Sequence, residues 1–262
     1  MRGIETRIQD IRHMVFTEVA KMAYQEEASV EKHIEKIPYE IIPGDVANFR
    51  NDVFLERAIV GERVRLAMGL PCRDAGNQAP ISEDVEAADR PETYYTPPLI
   101  NIIKFACNAC PEKRLIVTEG CMGCLAHPCM EVCPKDAVHL DRTIGRASID
   151  QDKCIKCGRC ATACSYNAII TQERPCAAAC GMDAIHSDSQ GKAEIDYDKC
   201  VSCGMCLVNC PFGAISDKSQ IFQVIRGIQS GEKIYAAIAP AFVGQFGPKV
   251  TSGKLRAAIK QL

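Results

Sequence analysis

Sixteen of the seventeen cysteines of this chain fall between Cys107 and Cys210, and their spacing is that of metal ligands. The run CVSCGMCLVNCP, Cys200 to Pro211, sets three thiols at two-residue intervals and places a fourth three residues further on. Three thiolates so spaced reach three iron corners of a 4Fe-4S cubane when the intervening backbone curls round it. The same curl turns amide N–H groups toward the sulfur atoms. CIKCGRCATACS, Cys154 to Ser165, repeats the spacing, and CMGCLAHPCMEVCP, Cys121 to Pro134, repeats it with two extra residues between its second and third Cys. The chemistry open to such a set is one-electron transfer.

In two-cluster proteins the fourth Cys of each loop ligates the neighbouring cluster. Leaving aside Cys72, read as an ordinary thiol in GLPCRD, sixteen cysteines remain, four for each of four clusters. Cys121, Cys124 and Cys129 take Cys164, and Cys154, Cys157 and Cys160 take Cys133. Cys200, Cys203 and Cys206 then take Cys180. This leaves Cys176 and Cys210, together with the one unspent CxxC, Cys107 and Cys110, which lies far upstream but is able to return in space. A four-thiolate zinc ribbon built from Cys107, Cys110, Cys121 and Cys124 is the rival for that last set, and it would strand Cys129 and Cys133. His127 lies inside the first loop as either a ligand or a packed imidazole beside the ligands. Ser165 and Gly181 stand where Pro134 and Pro211 close the other loops, a change that restores an N–H without preventing ligation.

These loops need elements to hold them, and the sequence repeats those too. Cys133, Cys164, Cys180 and Cys210 are each followed, after three intervening residues, by a small-apolar pair: Ala137-Val138, Ala168-Ile169, Ala184-Ile185 and Ala214-Ile215. IDQDKC and IDYDKC introduce Cys154 and Cys200 alike. Each unit reads as short strand, cluster loop, one-turn helix and short strand, with AVHLDRTIGRASID and AIHSDSQGKAEID as hairpins. Upstream, Ile4, Ile8, Ile11, Val15, Val19 and Met22 recur at helical spacing. A second helix is expected from Asp45, as N-cap, to Leu70, somewhat weakened by Gly61. Residues 71–100 turn polar, acidic and proline-bearing, which fits a linker or covering loop. After the cysteines, SQIFQVIRGIQSG predicts an amphipathic helix, EKIYAAIAPAF a buried strand, and GQFGPKVTSGKLRAAIKQL a loop feeding a helix still running at the chain end. GPKVTSGKL is no phosphate loop, because five residues precede Gly253-Lys254 and Leu255 replaces Ser or Thr.

The expected class is therefore α+β. A helical segment at 1–70 and a linker at 71–100 precede two tandem ferredoxin-like modules at 101–219, and a truncated α/β stub follows at 220–262. The formal net charge of −2 shows no nucleic-acid surface, and no apolar run reaches the ~18 residues of a membrane span. MRGIETRIQDIR is not a signal-peptide core, and many cysteines without one point to a cytoplasmic, reducing setting.

Four stretches resemble the N-terminal part of an FeFe hydrogenase of the monomeric, ferredoxin-rich kind. They are FLERAIVGERVRLAMGL, the CNACPEKR and CMGCLAHPCMEVCP run, RPCAAACGMDAI with DYDKCVSCGMCLVNCPFGAI, and IYAAIAPAFVGQFG. The resemblance implies electron exchange between a ferredoxin or similar redox protein and an H-cluster, where protons are reversibly reduced to hydrogen. The H-cluster ligands of that family lie in a catalytic domain that these 262 residues lack, so none of them is assigned as catalytic. The expected segment is the relay, with 220–262 as the start of that domain. A stand-alone polyferredoxin, or a four-cluster subunit of another oxidoreductase, uses the same cysteine arithmetic. A zinc-stabilised interaction module is the third class.

Overall fold

In a computed structural model the described residues are 6–25, 30–74, 76, 78–90 and 96–261. The chain forms two compact units. One contains Pro98–Asp217, and the other joins the described residues from Thr6 to Pro97 with those from Lys218 onward.

The second of these is helical. Helices α1 (Arg7–Tyr24), α2 (Val30–Ile41) and α3 (Val53–Ala67) pack together with α8 (Ile221–Gln229). Val15, Val19 and Met22 are buried as their spacing requires, and Ile11 packs against them, while Ile4 lies outside the described residues. They meet Ile34, Ile37 and Ile41 of α2, Val60 and Val64 of α3, and Phe222 and Ile225 of α8. The four-part division drawn from composition differs from this packing, because the apolar face of α8 is buried among the N-terminal helices.

The helix expected from Asp45 begins instead after Asp52, whose carboxylate caps it by accepting from the Leu55 N–H at 2.9 Å. The cause is Glu56, which is buried and accepts the backbone N–H groups of Asn48, Phe49 and Arg50, holding 48–50 as a loop. Of the stretch 71–100, residues 75, 77 and 91–95 lie outside the description, and the part before them covers α3. The buried Arg65 guanidinium donates to the carbonyls of Pro71, Ile81 and Glu83, and Glu62 pairs with Arg73 at 2.7 Å. Gly61 makes room for this cover, since a Cβ there would stand 2.9 Å from the Ile81 side chain. The strand expected in EKIYAAIAPAF is absent among the described residues. Those residues are exposed coil, with one 3-10 turn at Pro240–Phe242, and nothing there supplies a ladder of hydrogen bonds. The last helix, α9 (Ser252–Ile259), is capped by Thr251 and ends before the chain does.

The cysteine-rich unit is α+β and consists of four antiparallel two-stranded ribbons. The two expected hairpins are present, as β3 (Val138–Asp141) with β4 (Arg146–Ile149), and β6 (Ile185–Ser187) with β7 (Ala193–Ile195). The other two ribbons join distant strands. β2 (Arg114–Val117) pairs with β5 (Ile169–Gln172), whereas β1 (Ile100–Ile102) pairs with β8 (Ile215–Asp217). One module, β2 to β5, is thus inserted inside the other, which opens with β1 and resumes after β5. Four one-turn helices complete the pairs: α4 (Pro128–Glu131) against α5 (Arg159–Ala163), and α6 (Pro175–Ala178) against α7 (Met205–Asn209).

Candidate iron-sulfur sites

The loops share one backbone device. The second residue after the leading Cys is left-handed in all four: Ala109 (φ 46°), Gly123 (57°), Lys156 (60°) and Ser202 (54°). So is the third residue after each trailing Cys: Asp136, Asn167, Asp183 and Gly213. A left-handed residue reverses the path of the chain, and the amide that follows it turns inward. Ala137 N–H accordingly donates to Cys133 Sγ at 3.3 Å, Ala168 N–H to Cys164 Sγ at 3.4 Å, and Ala184 N–H to Cys180 Sγ at 3.4 Å. The hairpins add Ala147 N–H to Cys121 Sγ at 3.5 Å and Ala193 N–H to Cys107 Sγ at 3.4 Å.

That last pair identifies the Cys107 loop as the counterpart of the Cys121 loop. The duplicated aspartates agree, since Asp150 and Asp196 each take the N–H of the residue two on and each lend a carbonyl to the following Cys at 3.1 Å. In the inserted module His127-Pro128-Cys129 opens α4, and in the enclosing module Arg174-Pro175-Cys176 opens α6. The insertion therefore separates the second Cys of the enclosing module, Cys110, from its third, Cys176. The repeated Pro-Cys after a polar residue is the sequence signal of this correspondence.

In the enclosing module the thiols gather in quartets. Cys107, Cys110, Cys176 and Cys210 line one cavity, and Cys180, Cys200, Cys203 and Cys206 line another. In the inserted module Cys129 and Cys160 are buried in one apolar cluster with Leu115, Val138 and Ile169. Cys121, Cys133, Cys154 and Cys164 pack at its edge. Burial pushes the Cys129 thiol up, and the charges of Cys124 and Cys164 add to the effect. Burial does the same to Cys160, with Cys154 and Cys133 as the neighbouring thiols. Cys176 and Cys206 are each pushed up to about 11 by burial. At Cys133 burial also acts upward, but the N–H donors of Lys135, Ala137 and Val138 outweigh it and hold the thiol below its ordinary range. Crowded thiols cannot all ionise alone, and iron supplies the opposing charge. Cys124 and Cys157 sit on the same loops, Cys157 exposed and Cys124 half-buried.

The spacing of the sulfur atoms tests the fit to a cubane against a single ion. A tetrahedral zinc-thiolate centre with Zn–S of about 2.3 Å puts its sulfurs ~3.8 Å apart. Among the described residues no three cysteine sulfurs lie within 4.8 Å of one another. The quartets are therefore too open for a bare ion and suit a larger inorganic core. The zinc ribbon also fails on placement, because Cys107 and Cys110 line a cavity with Cys176 and Cys210. Glu18, His33 and Glu40 do bring three ligand atoms within 4.8 Å in the helical unit, but Glu18 already holds Lys21 at 2.7 Å. The Cys72 thiol, in the helical unit, is pushed up to about 12 by burial and then by Glu62. Among the described residues no helix is long and apolar enough to cross a membrane.

Comparison with known proteins bears on these loops. A family described as "4Fe-4S binding domain" matches residues 146–169 and 192–215, one stretch in each module. A ferredoxin of Alicyclobacillus acidocaldarius is 40% identical over 58 residues, 22% of this chain and 72% of the relative. The electron transport protein HydN of Escherichia coli is 33% identical over 85 residues, 32% of this chain and 42% of the relative. The polyferredoxin-like subunit of an aliphatic sulfonate oxidoreductase of Pyrococcus furiosus is 38% identical over 48 residues, 18% and 28% respectively. The chain spans less than half the length of the leading curated relatives it matches, 43% and 46%.

Proposed function

Because this chain belongs to the ferredoxin family of 4Fe-4S iron-sulfur proteins, we propose that it is a four-cluster electron relay. Cys121, Cys124, Cys129 and Cys164 hold the first cluster, and Cys154, Cys157, Cys160 and Cys133 the second. Cys200, Cys203, Cys206 and Cys180 hold the third, and Cys107, Cys110, Cys176 and Cys210 the fourth. The observation that carries the reading is the cavity shared by the last quartet, whose members come from both sides of a whole inserted module. A bound 4Fe-4S cubane supplies one-electron transfer. The protein's part is to hold the sulfurs, to aim N–H groups at them, and to exclude water with Leu115, Val138, Ile169 and their counterparts Ile185, Ile195 and Ile215.

We assign the relay to the electron-transfer portion of an FeFe hydrogenase. It would exchange electrons between a ferredoxin or similar redox protein and an H-cluster carried by a catalytic domain, in the cytoplasm. The four stretches quoted above support this. A second reading, a polyferredoxin or electron-transfer subunit of another oxidoreductase, is favoured by the oxidoreductase subunit of Pyrococcus furiosus and by HydN. Anaerobic purification from the native source, with whatever remains attached, separates the two. Hydrogen-dependent dye reduction, together with infrared bands of iron-bound CO and CN⁻, is expected under the first. Co-purification with a different oxidoreductase and no such bands overturns it in favour of the second. Iron and sulfide analysis tests the relay itself: about sixteen irons per chain are expected, and about twelve would remove Cys107 and Cys110 from the ligand set.

A further inference from the structure

The cavities of the third and fourth quartets differ in one charged group. The walls around Cys180, Cys200, Cys203 and Cys206 are otherwise apolar or backbone: Ile100, Met182, Ala184, Ile185, Ile195 and Met205 among them. Around Cys107, Cys110, Cys176 and Cys210 the wall includes Arg174, which is 3% exposed. One edge of its guanidinium is fully engaged. Nη1 donates to the His186 carbonyl at 3.1 Å, and Nη2 donates to the carbonyls of Cys110 at 2.7 Å and Gly191 at 3.0 Å and to Ser187 Oγ at 2.7 Å. Its Nε is buried and has no hydrogen-bond partner among the described residues. A buried guanidinium cannot shed its proton, and a buried N–H without an acceptor is costly. The carboxylate that feels its charge, Glu112, lies at the surface, where water screens it.

We propose that Arg174 directs its free Nε–H and its charge at the cluster held by Cys107, Cys110, Cys176 and Cys210, and so makes that cluster the first of the four to be reduced. This rests on the relay reading above. The step is the one-electron reduction of the cubane from its 2+ to its 1+ core by a low-potential donor, dithionite in the test, with no bond broken and no proton taken up. Each added electron makes the site more negative, so a fixed positive charge and a donated hydrogen bond stabilise the reduced form more than the oxidised one. The third cavity has no such group, which makes it the internal control. Electrons entering the chain collect at the fourth cluster, so it is the holding site of the relay.

The test uses the full chain with its clusters reconstituted and follows the paramagnetic signal of each cluster against applied potential. At the wild-type midpoint of the first signal, Arg174→Gln is expected to lower the ratio of reduced to oxidised cluster about tenfold, a shift of about 59 mV for one electron. Arg174→Lys, which keeps the charge, is expected to lower it by less than about threefold, and the other signals are expected to stay in place. Sixteen irons with an unshifted first signal in Arg174→Gln overturns the proposal, as does an equal shift in the Gln and Lys variants. Should Arg174→Gln lose a cluster, the wild type decides. With ¹⁵N placed in the guanidinium of arginine, the first cluster reduced must show hyperfine coupling to that nitrogen, and its absence overturns the proposal. A chain that binds no iron at all fails the relay reading, a result distinct from any of these.

Discussion

Replacing Gly123 by Ala isolates the geometric demand of a cluster loop, because Gly158 in the neighbouring loop supplies a matched control. Both glycines are left-handed, at φ 57° and 80°. A Cβ in that region costs roughly 1–2 kcal/mol at either position. The difference lies in what the methyl meets. At Gly158 nothing lies within 4 Å, whereas at Gly123 the Cβ would stand closer than 3.0 Å to the Gly145 carbonyl oxygen in the β3–β4 turn. That oxygen belongs to backbone, and moving it displaces Ala147, whose N–H reaches Cys121 Sγ. Overpacking of this kind costs about 1–3 kcal/mol, and the lost N–H···S bond adds about 1 kcal/mol. Gly158→Ala should therefore cost about 1–2 kcal/mol and Gly123→Ala about 3–6 kcal/mol. Anaerobic denaturant unfolding, read by loss of the cluster absorbance with iron counted beforehand, measures both. Equal midpoints with equal iron in the two variants would refute the claim that the hairpin crowds this loop.

Three further outcomes follow from the same geometry. Cys203→Ala should remove or convert one cluster, lowering iron per chain by about one to four while leaving the other three signals intact; an unchanged signal set would contradict the third quartet. Asp52→Ala removes the α3 cap and should lower stability of the helical unit by about 1 kcal/mol without changing iron content, as thermal unfolding and iron analysis can show. Asp188 is held down to about 2 by its hydrogen bond to Lys104, followed by the N–H groups of Lys192 and Gln190. Its folded value lies below the ordinary carboxylate value, so its contribution is complete above about pH 4 and is lost as pH falls toward 2. Asp188→Asn should therefore flatten the acid limb of the stability curve in that window, and an identical limb would count against the pairing.

Cysteine spacing, repeated small-apolar pairs and turn residues were together enough to read the cluster loops, the two hairpins and the α+β character. These are local: a period of two or three residues, an Asx turn at Asp141 or Asp188, and a residue such as Asn167 or Gly213 able to turn left-handed each act within a few positions. The stripe on α1 was legible for the same reason. The start of α3 was not, because the choice between Asp45 and Asp52 rests on a buried carboxylate, Glu56, capturing three amides of the preceding loop. Nor was the coil near Ile238, where apolar residues stand without a partner strand among the described residues. Tertiary structure alone decided that one module lies inside the other and that α8 buries Phe222 and Ile225 among the N-terminal helices. It also placed a guanidinium behind one quartet of thiols. Pairing between β1 and β8, like the meeting of Cys110 with Cys210, joins residues about a hundred positions apart. The free energy of such contacts depends on what the whole chain brings together, and a sequence pattern records only what its neighbours can enforce.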